Sequence, residues 1–474
     1  MRKFLMIGAA AATLLGLGAA TAGSQTPRNE AFRMVALFGD VLGIVEQAYV
    51  VPVDGKKLIE AALQGMMTAL DPHSNYLPPA GYGELRERSE GQYSGVGLTI
   101  SSEGGMVKII SPMDGGPAAR AGVQAGDVIS SIDGQNAGGL TVSQVSEKLR
   151  GAAGTSVKVT FLRDGEEPLE VTLTREVIKI DSVVGRLEGD FAVLRISTFN
   201  ENTGRELNET VARLKRENPA IKGYVLDLRN NGGGLLDAAI AVTDAFLERG
   251  EIVSQRGRTP EQILRYAAKP GDLSGGLPIV VLINYGSASA SEIVAGALKD
   301  HQRATIVGLT SFGKGSVQSV IPLRGGADGA LSITTARYYT PSGSSIQKVG
   351  IEPDLEVARS QAEARIVSRS NFIYSEAAFA TALDASIGTE RKGPHTPVEA
   401  PGETYDKDKD YQLERAYDVL RAGGVLTQLA AAPEGVVVTP PGTAPIEVAE
   451  VQPDSGPRPR LPSDQAPLIP DPED

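Results

Sequence analysis

Distinct textures of hydrophobic and polar positions follow one another along the chain. Past an apolar run from Phe4 to about Ala20, the stretch from about Asn29 to Arg88 spaces Phe32, Val35, Leu37, Val41, Ile44 and Val45 near a 3.6-residue period. Leu58, Ala61, Leu63 and Met67 repeat it, which predicts amphipathic helices until Asp71-Pro72-His73-Ser74 breaks the pattern. From Tyr93 to about Ile180 short alternating runs separated by glycine predict strands, among them Val96-Gly97-Leu98-Thr99-Ile100 and Val157-Lys158-Val159-Thr160-Phe161. One helix interrupts them, opened by Thr141 and running through Val145 and Leu149 to Gly151. From Phe191 to about Tyr339 nearly continuous apolar runs, such as Val225-Leu226-Asp227-Leu228 and Ile279-Val280-Val281-Leu282-Ile283, alternate with helical segments. Strand-helix-strand order with unbroken apolar strands predicts a largely parallel sheet covered by helices. A last helical stretch is expected from Asp410 to Ala430, interrupted at Gly423-Gly424.

These textures divide the chain into residues 1–22, a helical region 23–90, a β-rich domain 91–180, and an α/β domain 181–385 with flanking strands. A linker with a C-terminal helix (386–430) and a tail (431–474) complete it. The tail holds 11 prolines in 44 residues, with eight acidic and two basic side chains, and is expected to be disordered because it cannot bury enough apolar surface.

Composition then narrows the chemistry. The formal net charge of −12 argues against a nucleic-acid partner. Cysteine is absent and only His73, His301 and His395 represent histidine, so thiol nucleophiles and thiolate metal sites are excluded, and no metal or cofactor is expected. Hydrolytic chemistry must rest on Ser, Lys, Asp or Glu. Arg2 and Lys3 before the apolar run, with Ala20-Thr21-Ala22 after it, read as an export signal cleaved before Gly23; left uncleaved, the run is long enough to anchor the chain. The expected location is the periplasm, at the inner membrane if the signal is retained.

Four motifs carry candidate chemistry. Asn284-Tyr285-Gly286-Ser287-Ala288-Ser289-Ala290-Ser291-Glu292 lies at a strand-to-helix junction, where a serine can attack a carbonyl while helix N-terminal amides hold an oxyanion. Ser289 and Glu292 fit a capping box equally well. Gly308 to Gly315 falls one residue short of a phosphate loop, because Gly315 replaces the magnesium-binding hydroxyl and a strand follows. What remains is Lys314 between two glycines, either a solvated cation or a buried base. Asp300 and His301 compete for that role, but about 1.5 Å of rise per residue carries His301 to the far end of the helix from Ser289. Asp227-Leu228-Arg229-Asn230-Asn231-Gly232-Gly233-Gly234 offers either an amide donor or a tight turn. Gly95-Val96-Gly97-Leu98 can cradle a carboxylate at a strand edge.

Together these segments resemble one family, the carboxy-terminal processing peptidases, also called tail-specific proteases. Asp227-Leu228-Arg229-Asn230-Asn231-Gly232-Gly233, Ser287-Ala288-Ser289-Ala290-Ser291-Glu292 and Ser311-Phe312-Gly313-Lys314-Gly315-Ser316-Val317-Gln318 match its active-site motifs in chain order. Leu70-Asp71-Pro72-His73-Ser74-Asn75-Tyr76-Leu77 matches a further signature, and the β-rich domain looks like the family's PDZ domain, with later landmarks at Pro117 to Gly122 and Gly126 to Ile129. The resemblance implies a crotonase/ClpP-like α/β protease core with an inserted PDZ domain. It also implies Ser289 as nucleophile, Lys314 as general base and Gln318 as the residue orienting the lysine. Gln318 lies four residues beyond Lys314, on the same side if both sit on one strand.

Ala290 and Gly233 are the implied oxyanion donors, with Gly232 close behind. Asp300 matches a family position, but its place on the helix points to support of the fold. Val96, Gly97 and Leu98 would bind a peptide carboxylate, and Arg150 would either report peptide binding or cap its helix. Substrates would be proteins with free apolar C-termini. A homo-oligomer through the helical region is expected, and the tail is expected to be passive, with an adaptor contact or a tether to a partner as the alternatives. The competing readings are a catalytically silent scaffold that binds C-termini and a crotonase-like acyl-thioester enzyme.

Overall fold

The computed structural model describes residues 26–103, 105–113, 115–163, 165–369, 375–384, 398–424 and 435–438. The export-signal segment and most of the Pro-rich tail lie outside these. Two helices open the described chain, α1 (Thr26–Ala48) and α2 (Gly55–Thr68), the second capped by Asp54, whose carboxylate accepts the Lys56 and Lys57 N–H groups. The region is not helical to its end. Strand β1 (Asn75–Leu77) comes next, then α3 (Pro79–Ser89), started by Pro79 in its first turn.

The linker strand β2 (Gln92–Gly95) leads into the β-rich domain: β3 (Leu98–Glu103), β4 (Met106–Pro112), α4 (Pro117–Arg120), β5 (Val128–Ile132), β6 (Gln135–Asn136), α5 (Val142–Leu149), β7 (Ser156–Leu162) and β8 (Leu169–Thr174). Its sheet runs in the order β3-β4-β5-β7-β8, so β3 is an edge strand. Thr141 and Gln144 form a capping box at the start of α5. Val107, Ile109, Ile129, Ile132, Val145, Val159 and Phe161 fill the core. The chain leaves through β9 (Glu176–Lys179), which pairs antiparallel with β2, so entry and exit form one two-stranded connection.

The α/β domain comprises β10 (Val183–Glu188), β11 (Phe191–Ile196), α6 (Thr203–Glu217), β12 (Gly223–Asp227), α7 (Leu236–Asp244), β13 (Gly250–Arg256), β14 (Ile263–Ala268), β15 (Ile279–Ile283), α8 (Ala290–Asp300), β16 (Thr305–Gly308), β17 (Ser316–Pro322), β18 (Ala330–Tyr339) and β19 (Leu355–Glu356). Helix α9 (Gln361–Arg369), β20 (Val398–Pro401), α10 (Tyr411–Arg421) and β21 (Gly435–Val438) complete the described chain.

The first sheet has the order β10-β11-β12-β15-β16-β19, parallel from β11 onward, as the unbroken apolar runs require. Both faces are buried: Ala192, Leu194, Leu226, Val281 and Ile306 pack with α6, α7 and α8, while Val193, Val225, Val280, Leu282 and Val307 pack against α10. A second, antiparallel sheet joins β1, β18, β13, β14 and β17. Strand β1, far away in sequence, pairs with β18 in the register Asn75 to Ser332.

Helix α10 ends at Arg421, next to the expected interruption at Gly423-Gly424: both glycines adopt positive φ and their N–H groups bond back to the Leu420 and Val419 carbonyls. Residues 425–430 of the expected helical stretch lie outside the described residues. One expectation changes near the C-terminus. Within the tail read as disordered, the β-branched run Gly435-Val436-Val437-Val438 pairs antiparallel with Val398–Pro401.

Candidate active site

Three loops at the carboxyl ends of parallel strands meet at one place, the end of an α/β sheet where ligands bind. The loop after β12 carries the Arg229 guanidinium, paired with Asp227 at 2.8 Å and with Asp410, the N-cap of α10, at 2.7 Å. The loop after β15 is stitched to it. Asn230 N–H donates to Asn284 Oδ1 at 2.9 Å and Asn284 Nδ2 donates back to Asn230 Oδ1 at 2.8 Å. The Ser287 hydroxyl donates to Leu228 O, and both the Ser291 hydroxyl and the Ala288 N–H donate to Asn231 O. The loop after β16 joins through Phe312 N–H to Ser287 O.

Ser289 stands at the N-cap of α8 with φ 56° and ψ −112°, a left-handed conformation that costs a non-glycine residue about 1–3 kcal/mol. Gly233 sits directly against it: a side chain there would come within 2.9 Å of Ser289 Cβ and 3.0 Å of Ala290 N. Only glycine fits, all the more at φ 102°. The Gly233 N–H, however, donates to Asn231 Oδ1 at 2.9 Å and is therefore committed. Gly232 N–H, like Ala290 N–H, carries no hydrogen bond among the described residues.

The centre of the cluster is Glu292, which is wholly buried. Its carboxylate accepts from Ser289 N–H at 2.7 Å, Ser311 Oγ at 2.6 Å, Gly313 N–H at 2.6 Å and Lys314 N–H at 2.9 Å. The capping-box half that involves Glu292 is thus made, and the same carboxylate also holds the lysine's backbone. Burial pushes this carboxyl up to about 7, against four hydrogen bonds that favour its ionised form. Burial likewise pushes the Lys314 ammonium below the usual lysine range, opposed by the negative charges of Glu376, Glu292 and Asp71.

Two of these carboxylates come from outside the motifs expected to carry the chemistry. Glu376, fully buried, lies 2.8 Å from His73 Nε2 and accepts from Gln347 Nε2 at 3.0 Å, while Gln347 Oε1 accepts the Gly315 N–H at 3.0 Å. Nothing in the local sequence around Glu376 marks it. Asp71 does belong to a noted segment, Leu70 to Leu77, which matches a further family signature and breaks the helical pattern but carries no expected role in the chemistry. Gln318 lies on β17, but Lys314 is in the loop before that strand and a bulge separates Val317 from Gln318. The two are not related by strand periodicity as expected. The Gln318 amide donates to Ser316 Oγ at 3.0 Å and Thr334 Oγ1 at 3.1 Å.

The remaining predicted residues lie elsewhere. Asp300 Oδ2 accepts Ser342 N–H and His301 Nε2 meets Glu251 O at 2.7 Å, contacts that bind the end of α8 to the turn after β18 and to β13. Val96 is buried, Gly97 has φ 72°, and Leu98 begins the edge strand β3. Arg150, the C-cap of α5, stacks over the Tyr93 ring of the linker strand at 5.3 Å. Among the described residues no cluster of potential ligands could hold a metal ion, and no helix is long and apolar enough to cross a membrane.

A family model described as peptidase family S41 matches residues 190–357, and one described as a PDZ domain matches 108–163. A carboxy-terminal-processing protease of Bartonella bacilliformis is 45% identical over 416 residues, covering 87% of this chain and 94% of the relative. The chain belongs to the carboxy-terminal-processing protease family. A relative from Synechocystis, named carboxyl-terminal-processing protease, is 38% identical over 312 residues, 64% of this chain and 72% of that protein. Among solved structures, a photosystem II D1 C-terminal processing protease is 33% identical, with a TM-score of 0.40 over 67% of this chain and 92% of that one. The α/β domain is accordingly the family's peptidase core, and the β-rich domain is its PDZ domain.

Because a glutamine offers one acceptor oxygen where Glu292 offers two, Glu292→Gln sets an amide N–H against donors. Cleavage of an unfolded protein substrate should fall roughly 100-fold, the cost of about 1 Å of misplacement. Far-UV circular dichroism should show the variant still folded. A Glu292→Gln enzyme as active as the parent would remove Glu292 from this role.

Proposed function

We propose that this protease is an exported serine endopeptidase that cleaves proteins near a free apolar C-terminus with a Ser289–Lys314 dyad. The reading is carried by one observation, the buried Glu292 carboxylate that hydrogen-bonds the backbones of both Ser289 and Lys314. Lys314, in the neutral form that burial favours, takes the Ser289 proton as Oγ attacks the peptide carbonyl. The tetrahedral oxyanion is met by the Ala290 N–H at the start of α8 and by a glycine amide of the loop after β12. Gly232 N–H is the open one; Gly233 N–H becomes available only if Asn231 releases it. Collapse of the intermediate expels the C-terminal fragment, protonated by Lys314, and water activated by the same lysine hydrolyses the acyl-enzyme. Gln318 orients the lysine.

The PDZ domain supplies the recognition. Its edge strand β3 can accept an antiparallel peptide strand beside α5, with the Val96-Gly97-Leu98 loop at the carboxylate end. Export rests on the basic, apolar and small-residue run of the first 22 residues and places the enzyme in the periplasm. Helix α1 exposes Phe32, Val35, Leu37, Val41 and Ile44, with Phe32 73% accessible, and this apolar face supports self-association.

On an unfolded protein with an apolar tail, the mature enzyme should cleave only when the C-terminus is free, and Ser289→Ala and Lys314→Ala should abolish cleavage. Cleavage surviving Ser289→Ala would overturn the dyad; cleavage of an amidated tail would overturn C-terminal recognition. Because the neutral lysine is the base, kcat/KM should rise with pH through a limb below the usual lysine range, and activity independent of pH there would count against Lys314. For self-association, Val41→Asp should lower the sedimentation coefficient of the wild-type assembly; identical sedimentation would exclude that face.

A further inference from the structure

The Asp71-Pro72-His73-Ser74 turn belongs to the N-terminal region in sequence and to the protease sheet in space. Asp71 Oδ1 accepts the His73 and Ser74 N–H groups, each at 2.9 Å, and Asp71 Oδ2 accepts the Ser74 hydroxyl at 2.7 Å. The turn grips β18 at one point. The Thr334 hydroxyl donates to Asp71 Oδ1 at 3.1 Å, and the Thr334 N–H donates to Ser74 Oγ at 3.1 Å. Thr334 Oγ1 is also the atom that accepts the Gln318 amide at 3.1 Å.

The direction of these bonds follows from the chemistry of the groups. An ionised carboxylate only accepts, and a hydroxyl has one hydrogen to donate. Thr334 therefore spends its hydrogen on Asp71 and presents only lone pairs to Gln318, which must answer with its NH2 group. The second amide hydrogen goes to Ser316 Oγ. The carbonyl Oε1 of Gln318 has no partner among the described residues and is left as an acceptor. A glutamine side chain is nearly symmetric in shape, so without such a polarity its oxygen and nitrogen exchange places at little cost. Burial raises the Asp71 carboxyl, but the Ser74 hydroxyl, His73 N–H, Thr334 hydroxyl and Ser74 N–H outweigh it and keep the group ionised.

We propose that Asp71, acting through the Thr334 hydroxyl, is a positioning residue that fixes the Gln318 amide with its carbonyl oxygen free to accept a hydrogen bond from Lys314. The inference rests on the Ser289–Lys314–Gln318 reading above and adds to it two residues, one of them from outside the peptidase core.

The test compares Asp71→Asn, Thr334→Val, Thr334→Ser and the Asp71→Asn/Thr334→Val double variant in the mature enzyme, on the free-tailed substrate. Thr334→Val removes the hydroxyl at constant shape and should lower kcat roughly 10- to 100-fold with KM little changed. Thr334→Ser, which keeps the hydroxyl, should recover most of that loss. Asp71→Asn should fall by a similar factor, and the double variant should be no worse than either single one, because both break the same chain.

The pH profile separates positioning from general weakening. The charged groups facing Lys314 are Glu376, Glu292 and Asp71. Losing the Asp71 charge makes the lysine ammonium less stable, so the acid limb of kcat/KM should move to lower pH in Asp71→Asn even as its rate falls. Thr334→Val keeps that charge and should leave the limb in place. A folding defect would scale the amplitude and shift no limb. Wild-type kcat in Thr334→Val, or losses that multiply in the double variant, would overturn the relay. Should Asp71→Asn fail to fold, the Thr334→Val and Thr334→Ser pair decides alone. Cleavage persisting in Ser289→Ala would instead bring down the underlying dyad, a result the Thr334 series cannot mimic.

Discussion

One buried carboxylate, that of Glu292, ties together backbone segments that would otherwise have no reason to meet. Ser289 sits in a conformation unfavourable for any residue with a side chain, and Lys314 follows a glycine in a loop from another strand. Each segment offers N–H groups that burial would leave unsatisfied, and a wholly buried carboxylate needs several donors to be tolerated at all. The two needs are met at once by four short hydrogen bonds. Strain at Ser289, the position of Lys314 and the contact of Gly233 with the serine elbow all depend on that arrangement.

The charge state of Lys314 is set by a balance with contributors from both ends of the chain. Burial favours the neutral amine. Asp71 from the N-terminal turn and Glu376 from the C-terminal segment oppose it, together with Glu292. Glu376 is itself engaged by His73 and Gln347. The peptidase core therefore holds Ser289 and Lys314, while segments on either side of it supply two of the charges that act on the lysine.

The PDZ domain hangs on a two-stranded connection, β2 with β9, and leaves its β3 edge unpaired within its own sheet. An edge strand carries N–H and C=O groups free to pair with a further strand. Arg150 on Tyr93 links the end of α5 to that connection.

Periodicity and composition alone placed the helices, the β-rich domain and the parallel sheet, because side-chain burial imposes its period locally whatever the partner is. The three motif loops were legible for the same reason: glycines and small residues at strand-to-helix junctions mark where a backbone must turn sharply. Other features were invisible along the chain. Strand β1 is three residues long and reads as part of a broken helix until β18 lies beside it. Glu376 has no local mark, and the roles of Asp71 and Thr334 exist only once residues 263 apart share a hydrogen bond. Even within a legible motif, which of the Gly232 and Gly233 N–H groups is bonded depends on where one Asn231 oxygen points. Local sequence decides which elements form, since propensity and capping act over a few residues. Which polar groups meet, and in which direction each bond runs, is decided only by the packed structure, where desolvation forces every buried donor to find an acceptor.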